Sequence, residues 1–585
     1  MTHPLIVRRD LDFLLHDWLR IDTLYGKPGF AELDRELVDG VLDLSAKLAV
    51  ERFLPHYKAS DETEPRLGPD GVHILPAIGE ALAHYAELGL FAAGFAPELG
   101  GLGLPYLLCS ASFAYFAAAN IATAAYPMLT TANARLIVTF GTAAQIDAFA
   151  RPQIAGQWFG TMCLSEPQAG SSLADVATRA VADGTDQLGE RYRLSGNKMW
   201  ISGGDQDASA NIVHLVLAKV ANADGSLPEG TAGLSLFIVP KILADGARND
   251  VTVAGLNHKM GYRGTANCLL NFGEAGGATG WIVGAPGEGL RQMFLMMNEA
   301  RIGVGLGAAA LGYRGYRHAV SYARERLQGR SIGQRGGAPV AIIEHPDVKR
   351  MLLAQKAYAE GALALCLYCA KLVDEHDDPD STALLALLTP VAKTWPSEYG
   401  LAANDLAIQV HGGYGYTRDF DVEQLYRDNR LNPIHEGTTG IQAIDLLGRK
   451  ILRDDGRGMT VLRARIADTA RRATELPEWS NAASALALLW AGIGETLEWL
   501  DAAPGATAFD NATPFLSAFG HAVLAWLWLD QAMTPVAESG DDMIVTGKRH
   551  AARFFFDHEV PRIAAWLAPV RDNSNAAAQA PTSIF

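Results

Sequence analysis

Cysteine is scarce: Cys109, Cys163, Cys268, Cys366 and Cys369 are the five in 585 residues. So thin and odd-numbered a set provides no disulfide framework and fits a reducing compartment, with the cytoplasm expected. Cys366 and Cys369 form a CxxC, but leucines and alanines surround them and no second pair completes a metal site, so helix packing is expected. An excess of positive charge is missing as well. The formal net charge of -16 disfavours binding to nucleic acid or an anionic membrane. Near the N-terminus, Asp10, Asp12 and Asp17 interrupt the apolar residues that follow Arg8 and Arg9, so no secretory core is read there. The apolar run Phe515 to Leu529 contains His521, ends at Asp530 and is shorter than an ordinary membrane span, which predicts a bundle-core helix. No fixed-period repeat is present. His435-Glu436 is not a zinc motif, because Thr439 stands where HExxH needs its second histidine. Gly305 to Ala310 satisfies a loose GxGxxA pattern but follows a helical stretch rather than a strand, which suits close helix packing better than a Rossmann turn.

What the chain does have is enough apolar material, 49% with 19% charged residues, to bury several cores. Helical spacing runs from Leu11 to about Ala155, as in Leu37, Val41, Leu44 and Leu48, and again over Tyr106 to Ile121. Between about Gly156 and Gly284 the period shortens to strand-like runs, Tyr192 to Leu194, Ile212 to Leu217 and Leu234 to Val239, separated by Asp, Gly and Pro. Helical periodicity returns from Gly289, through Val348 to Val373 and Ala383 to Val410. After a polar linker at Arg453 to Gly458, further helices are expected near Met459 to Thr474, Asn481 to Leu500, Pro514 to Met533 and Gly547 to Leu567. The expected class is α+β, mostly helical. Its expected divisions are 1–155 (helical, with an N-terminal extension), 156–285 (β), 286–452 (helical bundle), 459–573 (an additional helical domain) and 574–585 (a loose tail).

One carboxylate stands out. Glu436 lies in Asn432-Pro433-Ile434-His435-Glu436-Gly437-Thr438-Thr439, where Pro433 and Gly437 bracket a turn and no Lys or Arg falls within five residues on either side. A carboxylate in such a setting is a candidate base, because burial raises its proton affinity. The glycines of Gln409-Val410-His411-Gly412-Gly413-Tyr414 end a helical run where a ligand can approach the backbone. Thr161 to Ser172 and Lys198 to Gly204 supply hydroxyls, amides and an indole.

Together these segments resemble the acyl-CoA dehydrogenase flavoprotein family, from roughly Val41 to Leu452. The matches are densest at Met162 to Ser171, Lys198 to Gly203, His258 to Gly264, Tyr322 to Arg330 and Glu436 to Lys450. The extra terminal segments look like the long bacterial branch, which includes broad-range fatty acyl-CoA and 3-methylmercaptopropionyl-CoA dehydrogenases. The resemblance implies a helical domain, a small β-domain and a four-helix bundle, with FAD between the last two. It also implies α,β-dehydrogenation of an acyl-CoA thioester to a trans-2-enoyl-CoA, with electrons passed to an electron-transfer flavoprotein. Glu436 matches the catalytic glutamate. Arg301, His435, Gly437 and Ser171 match positions around the substrate. Met162, Leu164, Ser165, Ser171, Trp200, Ser202 and Thr438 match flavin contacts. Arg326, Gln328, Gln409 and Gly413 resemble residues that reach FAD in a neighbouring subunit, which implies at least a homodimer.

The family's other base position is Ala300 here, and the neighbouring Glu299 is expected in a cap or salt bridge. Three departures bear on substrate: His435 where tyrosine is common, Ser172 where aspartate is usual, and His411 before the glycine pair. His435 is read as a neutral packed imidazole rather than a catalytic group. The alternatives kept are an oxidase or monooxygenase on the same fold and a non-catalytic nucleic-acid-binding homologue. The C-terminal region lacks the strong basic character the last would need.

Overall fold

The computed structural model describes residues 5–333, 336–502, 505–535 and 542–585, and the side chains of 295–298 and 506 lie outside the description. The chain divides into two compact units, Tyr25–Ala300 and a second made of the first 24 residues with Arg301–Phe585. The first 24 residues, expected within 1–155, thus group with the later helices instead.

In the unit Tyr25–Ala300, helices precede and pack against a sheet. Strand Ala278–Ile282 pairs with both Leu234–Pro240 and Gly189–Ser202, closing a ring that continues through Ile212–Val220 and Arg179–Asp186. Phe159–Cys163 adds in parallel to Ile212–Val220, while Asn267–Phe272 and Val251–Leu256 extend from the far half of Gly189–Ser202. Leu234–Pro240 is buried throughout and Ile212–Val220 nearly so, which is why both read as unbroken apolar runs rather than alternating ones. Val213, Leu215, Leu236 and Ile238 share one core with Leu136, Ile137 and Phe149 of the preceding helices. A short hairpin, Arg66–Gly68 with Gly71–His73, was not foreseen. The helix expected to stop at Ile121 runs from Tyr106 to Phe140, with a break at Asn120 (φ -159°, ψ 94°). Asn120 Oδ1 accepts from the Thr123 amide at 3.3 Å and restarts the helix.

The other unit is helical. Its long members are Pro346–Asp374, Pro379–His411 and the part of Gly289–Glu325 beyond Ala300. A Cβ on Gly305 would lie 1.9 Å from the Ala392 carbonyl oxygen, so the small-residue run serves close helix packing, as expected. The additional helices are Arg457–Thr474, Ser480–Ala502, Ala512–Ala532, Met543–Phe554 and Arg562–Arg571. The last two replace the single helix read over Gly547 to Leu567. Cys366 and Cys369 are fully buried in helix packing. Among the described residues two helices, Tyr106–Phe140 and Ala512–Ala532, are long and apolar enough to cross a membrane, so the C-terminal one exceeds the length read from its apolar run. With 89% and 83% of their apolar windows buried, both serve as core helices.

The N-terminal segment is held by charge. Lys548 is fully buried and forms ion pairs with Asp10 at 2.6 Å and Glu360 at 2.9 Å, over the rings of Phe13 and Trp528. Tyr313 Oη donates to Asp10 at 2.9 Å, and Lys356 pairs with Glu360. Burial and Glu360 push the Asp10 pKa up against the pull of Lys548, whereas Lys356 and Lys548 outweigh burial at Glu360 and hold it down. Lys548→Met leaves two carboxylates sharing one remaining cation and should destabilise this unit by about 3–5 kcal/mol in urea unfolding. A cost below about 1 kcal/mol would show that the ammonium is not what secures the segment.

Candidate active site

Within the helical unit, Glu436 sits on a turn with left-handed backbone at two successive residues, Glu436 (φ 53°) and Gly437 (φ 89°). A non-glycine residue there carries roughly 1–3 kcal/mol of strain. Gln442 Nε2 holds the turn by donating to the Glu436 carbonyl at 2.8 Å. Thr438 is exposed at the start of the helix Thr439–Ile444, and Thr439 Oγ1 donates to Glu398 at 2.8 Å. Glu436 retains some accessible surface, yet the protein packed around its carboxylate is dense. Desolvation is the strongest influence on it and raises its pKa, while Arg301 and Lys393 act in the opposite sense.

These two cations are in different states. Arg301, 2% exposed, is paired with Asp445 at 2.7 Å, and Asp445 also holds Arg449. Lys393 is fully buried and donates to a main-chain carbonyl, that of Asn432, at 2.7 Å. Burial pushes its pKa down to about 8; Glu436 and Glu398 favour its charge and Arg301 opposes it.

The same turn is held from behind by a row of buried asparagines. Asn404 donates to the Leu311 carbonyl at 2.9 Å, Asn429 donates to Asn404 at 2.7 Å, and Asn432 donates to Asn429 at 2.8 Å. The Asn432 Oδ1 is then the acceptor for His435 Nε2, 3.1 Å away. Burial, with Lys393 nearby, lowers the His435 pKa to about 3, which favours the neutral imidazole.

In the other unit, the loop after strand Phe159–Cys163 carries Leu164, Ser165 and Ser171, with Met162 on the strand itself. Met162, Leu164 and Ser165 are half-buried and Ser171 is exposed. A buried ion pair fixes this loop. Lys198 Nζ bonds Glu166 and the Leu164 carbonyl, both at 2.9 Å, and the Leu217 carbonyl at 2.7 Å. Glu166 in turn accepts from the amides of Ala177 and Thr178. The Met199 amide donates to the Ser165 carbonyl at 3.0 Å, which brings the loop beside the strand bearing Trp200 and Ser202. Trp200 occupies a bulge with φ 66° and is 58% exposed as a residue, so it is not a core tryptophan. Glu299 pairs with Arg135 at 3.3 Å, the salt bridge expected of it.

Arg326, Gln328, Gln409 and Gly413 are all exposed. Tyr322 stacks on buried His411 at 4.4 Å, so the segments carrying these four leave from neighbouring helix ends. At Gly412 (φ 61°) and Gly413 no protein atom lies within 4 Å of where a Cβ would stand, so internal packing does not demand glycine at either. Lys393, Glu398, Asp445, Gln442 and the asparagine row escaped the sequence reading. Lys393 is the nearest to legible, being a lysine inside the apolar run Leu387 to Trp395.

Comparison with known proteins is concordant along the chain. Residues 44–157, 161–275 and 287–452 match the acyl-CoA dehydrogenase N-terminal, middle and C-terminal domain models, and residues 462–581 match one described as acetyl-CoA dehydrogenase C-terminal like. The 3-methylmercaptopropionyl-CoA dehydrogenase of Ruegeria pomeroyi is 34% identical, over 98% of this chain and 99% of its own length. The broad-specificity linear acyl-CoA dehydrogenase FadE5 of Mycobacterium tuberculosis is 32% identical, over 97% of both. Among solved structures, Caenorhabditis elegans ACDH-11 in complex with C11-CoA shares the fold at TM-score 0.79 and 19% identity, covering 98% of this chain and 96% of that one.

The Lys198–Glu166 pair gives the loop a measurable dependence. Lys198→Met removes the partner of a buried carboxylate, a loss of about 3 kcal/mol or more. Amide hydrogen exchange over 164–178 should accelerate by roughly 100-fold if the loop opens locally; unchanged protection would place its rigidity elsewhere.

Proposed function

Since the chain belongs to the acyl-CoA dehydrogenase family, we propose that it is an FAD-dependent oxidoreductase converting an acyl-CoA thioester to its trans-2-enoyl-CoA, with Glu436 as the base. The observation that carries the assignment of the base is a carboxylate held on a left-handed turn, with proton affinity raised by burial and buried cations set around it. Glu436 takes the α-proton, and its electron pair becomes the new double bond as the β-hydrogen leaves with its own pair. The main-chain N–H of Glu436 is the proposed donor to the thioester oxygen, with Arg301 and His435 shaping the surroundings and Gly437 leaving room for the backbone to approach.

The residues present suit FAD. In the unit Tyr25–Ala300 an exposed Trp200 offers a face for a flat ring, Ser165 and Ser202 offer hydroxyls, and Met162 and Leu164 offer backbone groups; in the helical unit Thr438 offers a further hydroxyl. Ser171 and Arg326 suit a pyrophosphate, with Gln328, Gln409 and the open Gly413 beside Arg326. FAD, when bound, supplies at N5 the acceptor for the β-hydrogen and its electron pair. Exposed Leu327, Ile332, Tyr414 and Tyr416, the last 91% accessible, flank Arg326 and Gly413 and support a homodimer in which these residues meet a second copy. The scarcity of cysteine, five in 585 residues, supports a cytoplasmic setting, in β-oxidation, with an electron-transfer flavoprotein as acceptor. We propose domain divisions at 155/156 and 285/286, with the additional helical domain at 459–573 and a tail after it.

An anaerobic titration with short, long, branched and thioether acyl-CoAs should bleach the flavin. Glu436→Gln should retain FAD and lower the reduction rate by about 10²–10⁴-fold. No bleaching by any of the panel would remove the assignment, and turnover in air without an added acceptor would indicate an oxidase. Because the Glu436 pKa is raised, the ionised base is lost as pH falls through a value above the ordinary 4.5. kcat/KM should fall with it, and a flat profile across that range would exclude Glu436 as the titrating base.

A further inference from the structure

Lys393 has no place in the function as read from sequence, yet it is the most unusually situated charge near Glu436. A fully buried ammonium ordinarily takes a carboxylate partner, because desolvation removes most of the water that stabilises it. Lys393 instead donates to the Asn432 carbonyl at 2.7 Å, at the head of the turn that ends in Glu436. Asn432 is also the last member of the asparagine row and the acceptor for His435, so the lysine fastens the backbone at the point where that row meets the turn.

We infer that Lys393 is a positioning residue for Glu436, its ammonium clamping the Asn432 carbonyl and supplying fixed positive charge that keeps the base ionised. The inference rests on the proposed role of Glu436 for its meaning in catalysis, but not for its physical content. The charged groups acting on the pair come from each neighbouring helix. Arg301 of Gly289–Glu325 acts on both Glu436 and Lys393, and its own charge is met by Asp445. Glu398, on the same helix as Lys393, favours the ammonium and is itself bonded by Thr439. His435 is neutral and adds no charge. Arg301 has a carboxylate in contact and Lys393 has a carbonyl, so the charge of Lys393 is the less compensated of the two. The coupling is reciprocal: protonating Glu436 removes one of the two carboxylates that hold Lys393 charged.

Carboxyl infrared difference spectra, referenced to Glu436→Gln, follow the protonation of Glu436 directly in the purified protein and do not depend on turnover. In Lys393→Met, similar in length and uncharged, the Glu436 midpoint should move up by about one pH unit, and kcat/KM should move with it. Lys393→Arg should return the midpoint toward the wild-type value. If Lys393→Met does not fold, Lys393→Gln, uncharged but with an amide donor to offer the Asn432 carbonyl, should move the Glu436 midpoint up in the same sense. A midpoint unchanged in the folded variants, with only thermal stability reduced, would overturn the inference. A shifted midpoint in a protein that oxidises no acyl-CoA would retain it and reject the proposed function instead.

Discussion

A carboxylate cannot at once be well solvated and be a strong base, and removal of a proton next to a thioester needs the second condition without complete loss of the charge. On the role proposed for Glu436, the helical unit meets this by surrounding the carboxylate densely while keeping two buried cations near it, Arg301 and Lys393. Burial alone would raise its pKa further, and a direct ion pair would make it a poor base. The geometry around it serves this compromise. Arg301 is anchored to Asp445, Lys393 to the Asn432 carbonyl, and the turn itself to Gln442. The raised proton affinity of Glu436 is therefore the net result of elements gathered from three separate helices and the turn that carries it.

The fold was legible where one period dominates. The buried strands Ile212–Val220 and Leu234–Pro240 are apolar without interruption, and the long helices repeat apolar residues at helical spacing, so element type and order follow directly. The boundaries were less so. The helix Tyr106–Phe140 continues past a break because the Asn120 side chain caps its second half, an interaction that periodicity does not encode. The residues before Tyr25 group with Arg301–Phe585 because Asp10 meets Lys548, a pairing invisible to any local reading.

For the site, the turn at Glu436 was legible from its proline, its glycine and its lack of neighbouring charge, and the loop at Ser165 to Ser171 from its small polar residues. The groups that set the electrostatics were not. Lys393, Glu398 and Asp445 lie on other turns of helix, and sequence separation gives no measure of their approach to the base. Glu166 and Lys198 each belong to a stretch read for cofactor binding, yet their contribution is to hold the loop in shape from inside the fold.

The linkage of the two chain ends has a consequence for biosynthesis. Arg9 bonds Asp542, 533 positions later, and Asp10 shares the same junction through Lys548. At elongation rates of about 5–20 residues per second, the first helix therefore waits roughly half a minute to two minutes on the ribosome before its counter-ions emerge. During that interval Leu11, Phe13, Leu14 and Leu15, all without solvent exposure in the finished protein, have no final place to dock. The opening of this chain thus lacks its buried partners until the residues around Asp542 and Lys548 are made, so the helical unit closes late rather than in step with translation.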